Sequence, residues 1–101
     1  MPIVMSADFP KISPEQYMNT HQKVMAEGRP KGMIAHCCRA KGDGIHVIDI
    51  WESKEDFEAF VSGRIAAAEK ELGIDAGPEN VTVTELLNAD AFEYTGKVLG
   101  V

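Results

Sequence analysis

The sequence predicts a single α+β domain of the ferredoxin-like, split βαβ type (β-α-β-β-α-β), with one antiparallel sheet and both helices on one face. Three observations lead to this prediction. The chain has 101 residues, of which 45% are apolar and 26% charged, as expected for one globular domain. Strand and helix patterns follow each other in the order strand, helix, strand, strand, helix, strand. The two middle strands are so close in sequence that they must form an antiparallel hairpin.

The chain opens with a short strand and a clearly marked helix. Residues 2–7 form a β-prone run that the turn residues at 8–10 are expected to end. Ser13 then offers a capping hydroxyl, a proline follows at the first helical position, and Gln16 completes a capping box. The helix is predicted to stop before Gly28. Helical spacing places these residues on its inner face: Tyr17, Met18, His21, Val24 and Met25.

The hairpin brings an imidazole and a carboxylate together. Its strands are predicted over residues 33–40 and 45–52. The antiparallel register of this hairpin places His36 opposite Asp49 and Ile34 opposite Trp51. Because alternate residues of a strand share a face, His36, Asp49 and Trp51 lie on the same side of the sheet. The pattern alone leaves open whether that side meets the helices or a partner subunit.

The second half of the chain supplies another helix and the last strand. Ser53 is predicted to cap the second helix, whose inner face carries Phe57 and Phe60 and which ends at Gly73. Residues 81–87 have the composition of a fourth strand. The sheet face without helices then needs a cover, and a second copy of the chain is the simplest one, so we expect a homodimer. The apolar segment 89–101 is expected to extend onto the partner subunit.

Charge and composition argue against several kinds of partner. The net charge is −6 and no Lys/Arg cluster is present, so nucleic acid is not expected. No apolar run approaches the roughly 20 residues of a membrane helix, and residues 1–8 are too short for a signal peptide. Cys37 and Cys38 are neighbours in one strand and point to opposite faces, so they are interpreted as free thiols. We therefore expect a cytoplasmic protein without a membrane partner.

The strand-to-helix junction at residues 50–57 reads Ile-Trp-Glu-Ser-Lys-Glu-Asp-Phe. This junction, with the order of elements over nearly the whole chain, resembles the dimeric α+β barrel proteins of the antibiotic biosynthesis monooxygenase-like group. The resemblance implies a pocket between sheet and helices and, as one activity of the group, oxygenation of aromatic polyketides or quinols without a cofactor. Heme-degrading members carry a tryptophan in the following helix and an iron-ligating histidine ten residues later. Phe60 and Lys70 stand at those places here, so heme degradation is not expected.

The candidate catalytic residues are His36, Asp49 and His21. If their sheet face meets the helices, they converge on one apolar cavity. A carboxylate beside an imidazole holds the ring in one tautomer and makes it a more effective base. The hypothesis is that His36, backed by Asp49, deprotonates a phenol or hydroquinone whose anion reacts with dioxygen, while His21 or Tyr17 binds the substrate oxygen. No cofactor is required. The candidate substrate-binding residues are Tyr17, Trp51, Phe57 and Phe60.

A non-catalytic reading accounts for the same residues. His21 can be a hydrogen-bonded core residue, and His36 with Asp49 can be a stabilising cross-strand contact at a dimer interface. The protein is then a small-molecule-binding or structural homodimer of the same fold. A cavity of roughly a few hundred Å³ with converging His and Tyr groups favours an enzyme or a binder, whereas a filled interior favours a structural role.

Two other chemistries receive less support. Pro2 would become a basic N-terminal amine if Met1 were removed, as in tautomerases, but the hairpin and the second helix favour the split βαβ plan. The strand pattern also allows a metal site. His46 points to the face opposite Asp49, which leaves His36, His21 and Asp49 as the geometrically allowed ligands. Their spacing is not distinctive, so no metal is expected.

Overall fold

A computed structural model describes residues 1–92, which form the predicted ferredoxin-like domain. Its strands are β1 (Ile3–Phe9), β2 (Met33–Lys41), β3 (Gly44–Trp51) and β4 (Glu79–Glu85). Its helices are α1 (Pro14–Val24), α2 (Lys54–Phe60) and α3 (Ala66–Leu72), with a 3₁₀ turn at Met25–Glu27 and a π-helical segment at Val61–Ile65. The strands form one antiparallel sheet in the order β2-β3-β1-β4. Segment 89–101 was predicted to extend onto a partner subunit. Its residues from 93 onward lie outside the described part of the chain.

Helix α1 starts where its capping sequence predicts. The Ser13 hydroxyl accepts a hydrogen bond from the Gln16 backbone N–H at 3.1 Å, and the Gln16 side chain accepts one from the Ser13 N–H at 2.9 Å. This capping box satisfies two backbone donors that the first turn leaves free. It fixes the start of the helix, so that Tyr17 and His21, one turn apart, lie on the same side of α1.

The β2–β3 register agrees with the prediction at His36 and Asp49 and departs from it nearby. His36 lies opposite Asp49, as predicted. Trp51, however, lies opposite Met33 rather than Ile34, because the register shifts by one residue between Met33 and Ala35. Such a bulge changes which side chains face the core. Here Met33 is buried, whereas Ile34 keeps part of its surface exposed.

All four strands have limits that differ from those predicted, β2 and β3 by no more than one residue at either end and β1 and β4 by up to two. β1 continues through Asp8 and Phe9 because both residues pair with β3. β4 begins at Glu79 and ends at Glu85, two residues earlier at each end than the predicted 81–87. Its end follows from its partner, since Glu85 lies opposite Ile3, the first residue of β1. Past that point the Leu86 N–H still donates to the Pro2 carbonyl oxygen at 2.8 Å, and within residues 1–92 the ladder ends there.

The helices cover one face of the sheet, here called the inner face, and leave the other, the outer face, uncovered by described residues. The face that carries His36, Asp49 and Trp51 is the inner face, which answers the question that the pattern left open. Its core is made of two buried groups, one of Met5, Ala7, Ile45 and Val47 and one of Ile3, Met33 and Trp51.

The second predicted helix is continuous but not uniformly α-helical. Between α2 and α3 the backbone widens into the π-helical segment, next to the residues that face the sheet. Within this segment, the Arg64 guanidinium donates to the carbonyl oxygens of Val24 at 3.1 Å and Gly28 at 2.6 Å. These bonds satisfy carbonyls at the end of α1 and join the two helices above the sheet. Among residues 1–92, no helix has the length and apolar character needed to cross a membrane.

Candidate active site

A cavity of about 550 Å³ lies between the inner face and the helices. The floor comes from the four strands, and the walls come from α1, α2, the π-helical segment, α3 and the loop at residues 74–78. Most of the lining is apolar, and Met5, Phe57 and Phe60 belong to it. The volume falls within the range of cavities that hold small organic ligands. The side chains of residues 1–92 therefore leave this interior open.

Four polar side chains form a hydrogen-bonded line along one wall of the cavity. Asp49 Oδ1 lies 2.5 Å from His36 Nδ1, and the other ring nitrogen, His36 Nε2, lies 2.5 Å from the Tyr17 hydroxyl. The same hydroxyl lies 3.3 Å from His21 Nδ1. All four residues line the cavity. The fold thus joins two residues of the sheet to two residues of α1, as the sequence-based hypothesis requires.

The three rings of this line are stacked. The planes of His21 and His36 are within 12° of parallel, and their centroids lie 5.3 Å apart. The Tyr17 ring lies 5.3 Å from His21 and 6.0 Å from His36, tilted by 24° and 21°. Stacked rings present their faces to each other, so the two imidazoles do not bond directly. Their connection runs through the Tyr17 hydroxyl.

Asp49 is held from behind by the tryptophan of the junction. The Trp51 indole N–H donates to Asp49 Oδ2 at 3.3 Å, and Asp49 is 3% exposed. Trp51 is fully buried, and its ring packs against Phe57 and Phe60 at centroid distances of 5.9 and 5.1 Å. Trp51 therefore lies behind the cavity wall, not on it. In this position it orients Asp49, while Phe57 and Phe60 face the cavity.

Burial sets the protonation preferences of the side chains around the line. It raises the pKa of Tyr17, and the nearby Cys38 and Asp49 add to the effect, so the hydroxyl keeps its proton. Burial also lowers the pKa of His21, with a further contribution from His36, which favours the neutral imidazole. Cys38 lies on the inner face, and burial raises the pKa of its thiol. That shift leaves Cys38 a weak nucleophile.

A second Asp–His pair, absent from the sequence-based hypothesis, lies on the outer face. Asp8 accepts hydrogen bonds from His46 Nδ1 at 2.6 Å, Lys41 Nζ at 2.8 Å and Asn80 Nδ2 at 2.8 Å. The bonds from Lys41, Asn80 and His46 hold the pKa of Asp8 well below its usual range. The pair arises because Asp8 lies opposite His46 in the β1–β3 register. No hairpin connects those two strands, so the sequence carries no direct signal for that register.

Other polar groups at the cavity were also outside the hypothesis. The cavity is also lined by Thr20, Glu69 and Asp75. The Thr20 hydroxyl donates to the carbonyl oxygen of Gln16, one helical turn earlier, at 2.8 Å. Their helical or loop positions give no signal that distinguishes them from surface residues. Across the described part of the chain, residues 1–92, no group of three or more His, Cys, Asp or Glu side chains is arranged to hold a metal ion.

Comparisons with known proteins place this geometry in a fold group. No protein-family model matches the chain, and no curated protein matches it. Among solved structures, a Chloroflexus aurantiacus protein assigned to the antibiotic biosynthesis monooxygenases superposes with a TM-score of 0.64 at 14% identity, covering 90% of this chain and 98% of its own. SnoaB from Streptomyces nogalater, a cofactor-independent oxygenase, gives 0.60 at 12% identity, covering 87% and 94%.

A third neighbour represents the heme-degrading branch. MhuD from Mycobacterium tuberculosis, a heme degrader whose structure holds two hemes in its active site, gives a TM-score of 0.54 at 20% identity, covering 90% of this chain and all of its own. The likeness confirms the predicted fold: the chain has the α+β architecture of the antibiotic biosynthesis monooxygenase-like proteins. At these identities the fold is what the proteins share, and the reaction is a separate question.

Proposed function

We propose that the protein is a cofactor-independent monooxygenase that acts on a small aromatic compound with an acidic hydroxyl, such as a phenol or hydroquinone. The observation that carries the proposal is the hydrogen-bonded line from Asp49 through His36 and Tyr17 to His21 along the wall of an otherwise apolar cavity. A buried carboxylate and two imidazoles supply basic groups, and the apolar walls hold an aromatic ring. The same fold in a cofactor-independent oxygenase supports this reading.

The proposed reaction begins with loss of the hydroxyl proton to the His36–Asp49 pair through the hydrogen-bonded line. The resulting anion is electron-rich and itself reduces dioxygen. For a phenol, one oxygen atom becomes a new carbonyl of a quinone and the other leaves as water, with all four electrons coming from the ring. The protein has to supply a base, a fixed orientation and a dry environment. Phe57 and Phe60 fit the second and third tasks because they line the cavity.

Heme chemistry fits these residues poorly. Lys70, at the place where the resemblance puts an iron-ligating histidine, is exposed on α3 and does not line the cavity. Glu69 and Asp75 line the cavity and would oppose the carboxylates of a heme. The tautomerase alternative finds no support either, since Pro2 does not belong to the cavity lining of the described residues.

The test is a screen of hydroquinones, naphthols and anthrones with oxygen consumption as the readout. For a substrate that is turned over, we expect His36→Ala to lower turnover by about 10²- to 10⁴-fold, the usual contribution of a general base. His46→Ala is the matched control, because His46 makes the same kind of bond to an aspartate on the other face of the sheet. Equal turnover in wild type and His36→Ala contradicts the proposal.

The second candidate function is binding of a small aromatic molecule without turnover. The cavity favours it over a purely structural role, because an interior of about 550 Å³ is left open. The same screen separates the two functions. Compounds that raise the melting temperature of the protein but consume no oxygen indicate a binding protein.

The proposal includes a homodimer formed through the outer face. That face carries the apolar side chains of Val4, Ile48 and Ile50, and Ile48 is 38% exposed in the single chain. A row of apolar residues on an uncovered sheet needs a partner, and a second copy provides a matching surface. We expect Ile48→Lys to convert a dimer into a monomer in sedimentation equilibrium, whereas a wild-type monomer contradicts this part. The free thiols of Cys37 and Cys38 agree with a reducing compartment such as the cytoplasm.

A further inference from the structure

The hydrogen-bonded line has a direction, which follows from the chemistry of its end groups. Asp49 receives the Trp51 indole N–H, which can only donate, and as a carboxylate it can only accept from His36 Nδ1 as well. A neutral His36 with hydrogen on Nδ1 has a bare Nε2, which must accept from the Tyr17 hydroxyl. The Tyr17 oxygen is then left to accept from His21 Nδ1. Each bond in the line thus determines the next.

This order leaves one nitrogen free to take up a proton. Both ring nitrogens of His36 are engaged by Asp49 and Tyr17. His21 carries its hydrogen on Nδ1, and within residues 1–92 its Nε2 has no hydrogen-bond partner. His21 lines the cavity, and the other imidazole nitrogens of the line are bonded to Tyr17 or Asp49. Its Nε2 is therefore the nitrogen of the line that is left for a ligand.

We propose that Tyr17 couples the two histidines into a proton relay that begins at His21 Nε2 and ends on His36 beside Asp49. The substrate hydroxyl gives its proton to His21 Nε2, His21 Nδ1 gives its hydrogen to the Tyr17 oxygen, and Tyr17 gives its own to His36 Nε2. The substrate leaves this step as an oxyanion, and the positive charge rests on His36 against the carboxylate. The inference rests on the proposed function only in taking the proton donor to be a substrate hydroxyl.

The geometry favours a relay through both histidines and argues against two bases that act independently. The imidazole rings are stacked 5.3 Å apart, so no proton passes between them without a third group. Tyr17 is the group that touches both, at 2.5 Å and 3.3 Å. Its hydroxyl stays protonated because burial raises its pKa, so it is able both to accept and to donate. Burial lowers the pKa of His21. His21 therefore transfers the proton onward, and the positive charge is more stable on His36 beside Asp49.

The relay is tested without any substrate by ¹⁵N NMR of the histidine-labelled full chain at neutral pH, which reports the nitrogen that carries hydrogen. We expect hydrogen on Nδ1 and a bare Nε2 in both His21 and His36. Tyr17→Phe keeps the stacked ring and removes the hydroxyl, so His21 should lose its preference for Nδ1–H. His36 should keep its hydrogen on Nδ1, because Asp49 still accepts a hydrogen bond from that nitrogen. A wild-type His21 with its hydrogen on Nε2 overturns the proposal.

A second measurement follows the transferred proton. The probe is 4-nitrophenol, whose anion is yellow, bound under argon so that no oxygenation occurs. We expect the wild type to ionise the bound probe. His21→Phe should lower the ratio of ionised to neutral bound probe by about tenfold or more, which corresponds to one pKa unit. Tyr17→Phe should lower it as well, whereas the control His46→Phe should match the wild type.

The two proposals fail in different ways. Ionisation that depends on His21 and Tyr17, together with no oxygen consumption in the substrate screen, leaves the relay standing and removes the oxygenase. Oxygen consumption in the screen, together with equal ionisation of the probe in wild type and His21→Phe, leaves the oxygenase standing and removes the relay. An unchanged probe spectrum in the wild type also overturns the relay, because no proton then reaches His21 Nε2.

Discussion

Two Asp–His pairs lie on opposite faces of one sheet, and they differ in what surrounds them. His36 and Asp49 on the inner face bond at 2.5 Å, and His46 and Asp8 on the outer face bond at 2.6 Å. Both aspartates are buried, at 3% and 8% exposed. By the usual criteria of distance and burial, the two pairs are equivalent.

The difference lies in the other partners of each pair. Asp8 is also bound by the ammonium group of Lys41, so its charge is matched by a cation. Asp49 is bound by His36 and by an indole N–H, and among residues 1–92 no lysine or arginine forms an ion pair with it. On the inner face, the second nitrogen of His36 bonds to Tyr17, which bonds to His21 at the cavity. An aspartate beside a histidine therefore indicates a candidate site only when the second imidazole nitrogen leads to a ligand.

The largest expected effect comes from exchanging each aspartate for asparagine. Asp49→Asn places an amide beside His36, which stabilises the wrong tautomer and interrupts the line. We expect turnover of a verified substrate to fall by about 10²- to 10⁴-fold, as for the loss of a positioned base. Asp8→Asn should leave turnover close to the wild-type rate. Oxygen consumption is the measurement, and equal losses in the two variants would remove the distinction between the faces.

The second effect concerns stability on the inner face. Trp51→Phe removes the indole N–H from the buried Asp49 and leaves unfilled volume in the core, so the free energy of unfolding should fall by about 1–3 kcal/mol. The control is Asn80→Gly, which removes a donor to Asp8 and permits the positive φ of 51° at this position. Its cost should be smaller, about 0.5–1.5 kcal/mol. Urea unfolding measures both, and the reverse order contradicts the prediction.

The third prediction is the pH dependence that Asp8 of the outer pair contributes to stability. The pKa of Asp8 is lower in the folded protein than in the unfolded chain, so the folded protein gains stability above the unfolded pKa of about 4. That stability is lost as the pH falls below this value. We expect the difference in urea midpoint between wild type and Asp8→Asn to shrink from pH 6 towards pH 3. A constant difference would mean that the charge of Asp8 does not contribute.

The smallest effect concerns the thiol on the inner face. Burial raises the pKa of Cys38, so a smaller fraction of it is thiolate at neutral pH. In a Cys37→Ser variant, alkylation of Cys38 by iodoacetamide should be about tenfold or more slower than that of glutathione. Mass spectrometry follows the reaction, with urea-unfolded protein as the control. Alkylation at the glutathione rate would show that the inner face at Cys38 is open to solvent.

Much of the fold was predictable because local signals are strong. The capping box at Ser13 and Gln16 places α1, the Ser53 cap places α2, and the short connection between β2 and β3 determines their pairing at His36 and Asp49. Where local signals compete, the prediction was wrong. The bulge places Met33 opposite Trp51. It depends on which of two neighbouring apolar residues, Met33 or Ile34, packs into the core. Neither strand pattern nor propensity decides that choice.

The sequence by itself determined the split βαβ order, the cross-strand pairing of His36 with Asp49 and the shared helix face of Tyr17 and His21, because each depends on residues close together along the chain or on one hairpin. Only the tertiary structure decided that the helices cover the face with Asp49, that a cavity of about 550 Å³ stays open there, and that Asp8 meets His46 on the other side. These outcomes depend on the packing of helices against sheet and on the register of strands that no hairpin connects. Such long-range contacts are set by the balance of the whole core, not by any local segment.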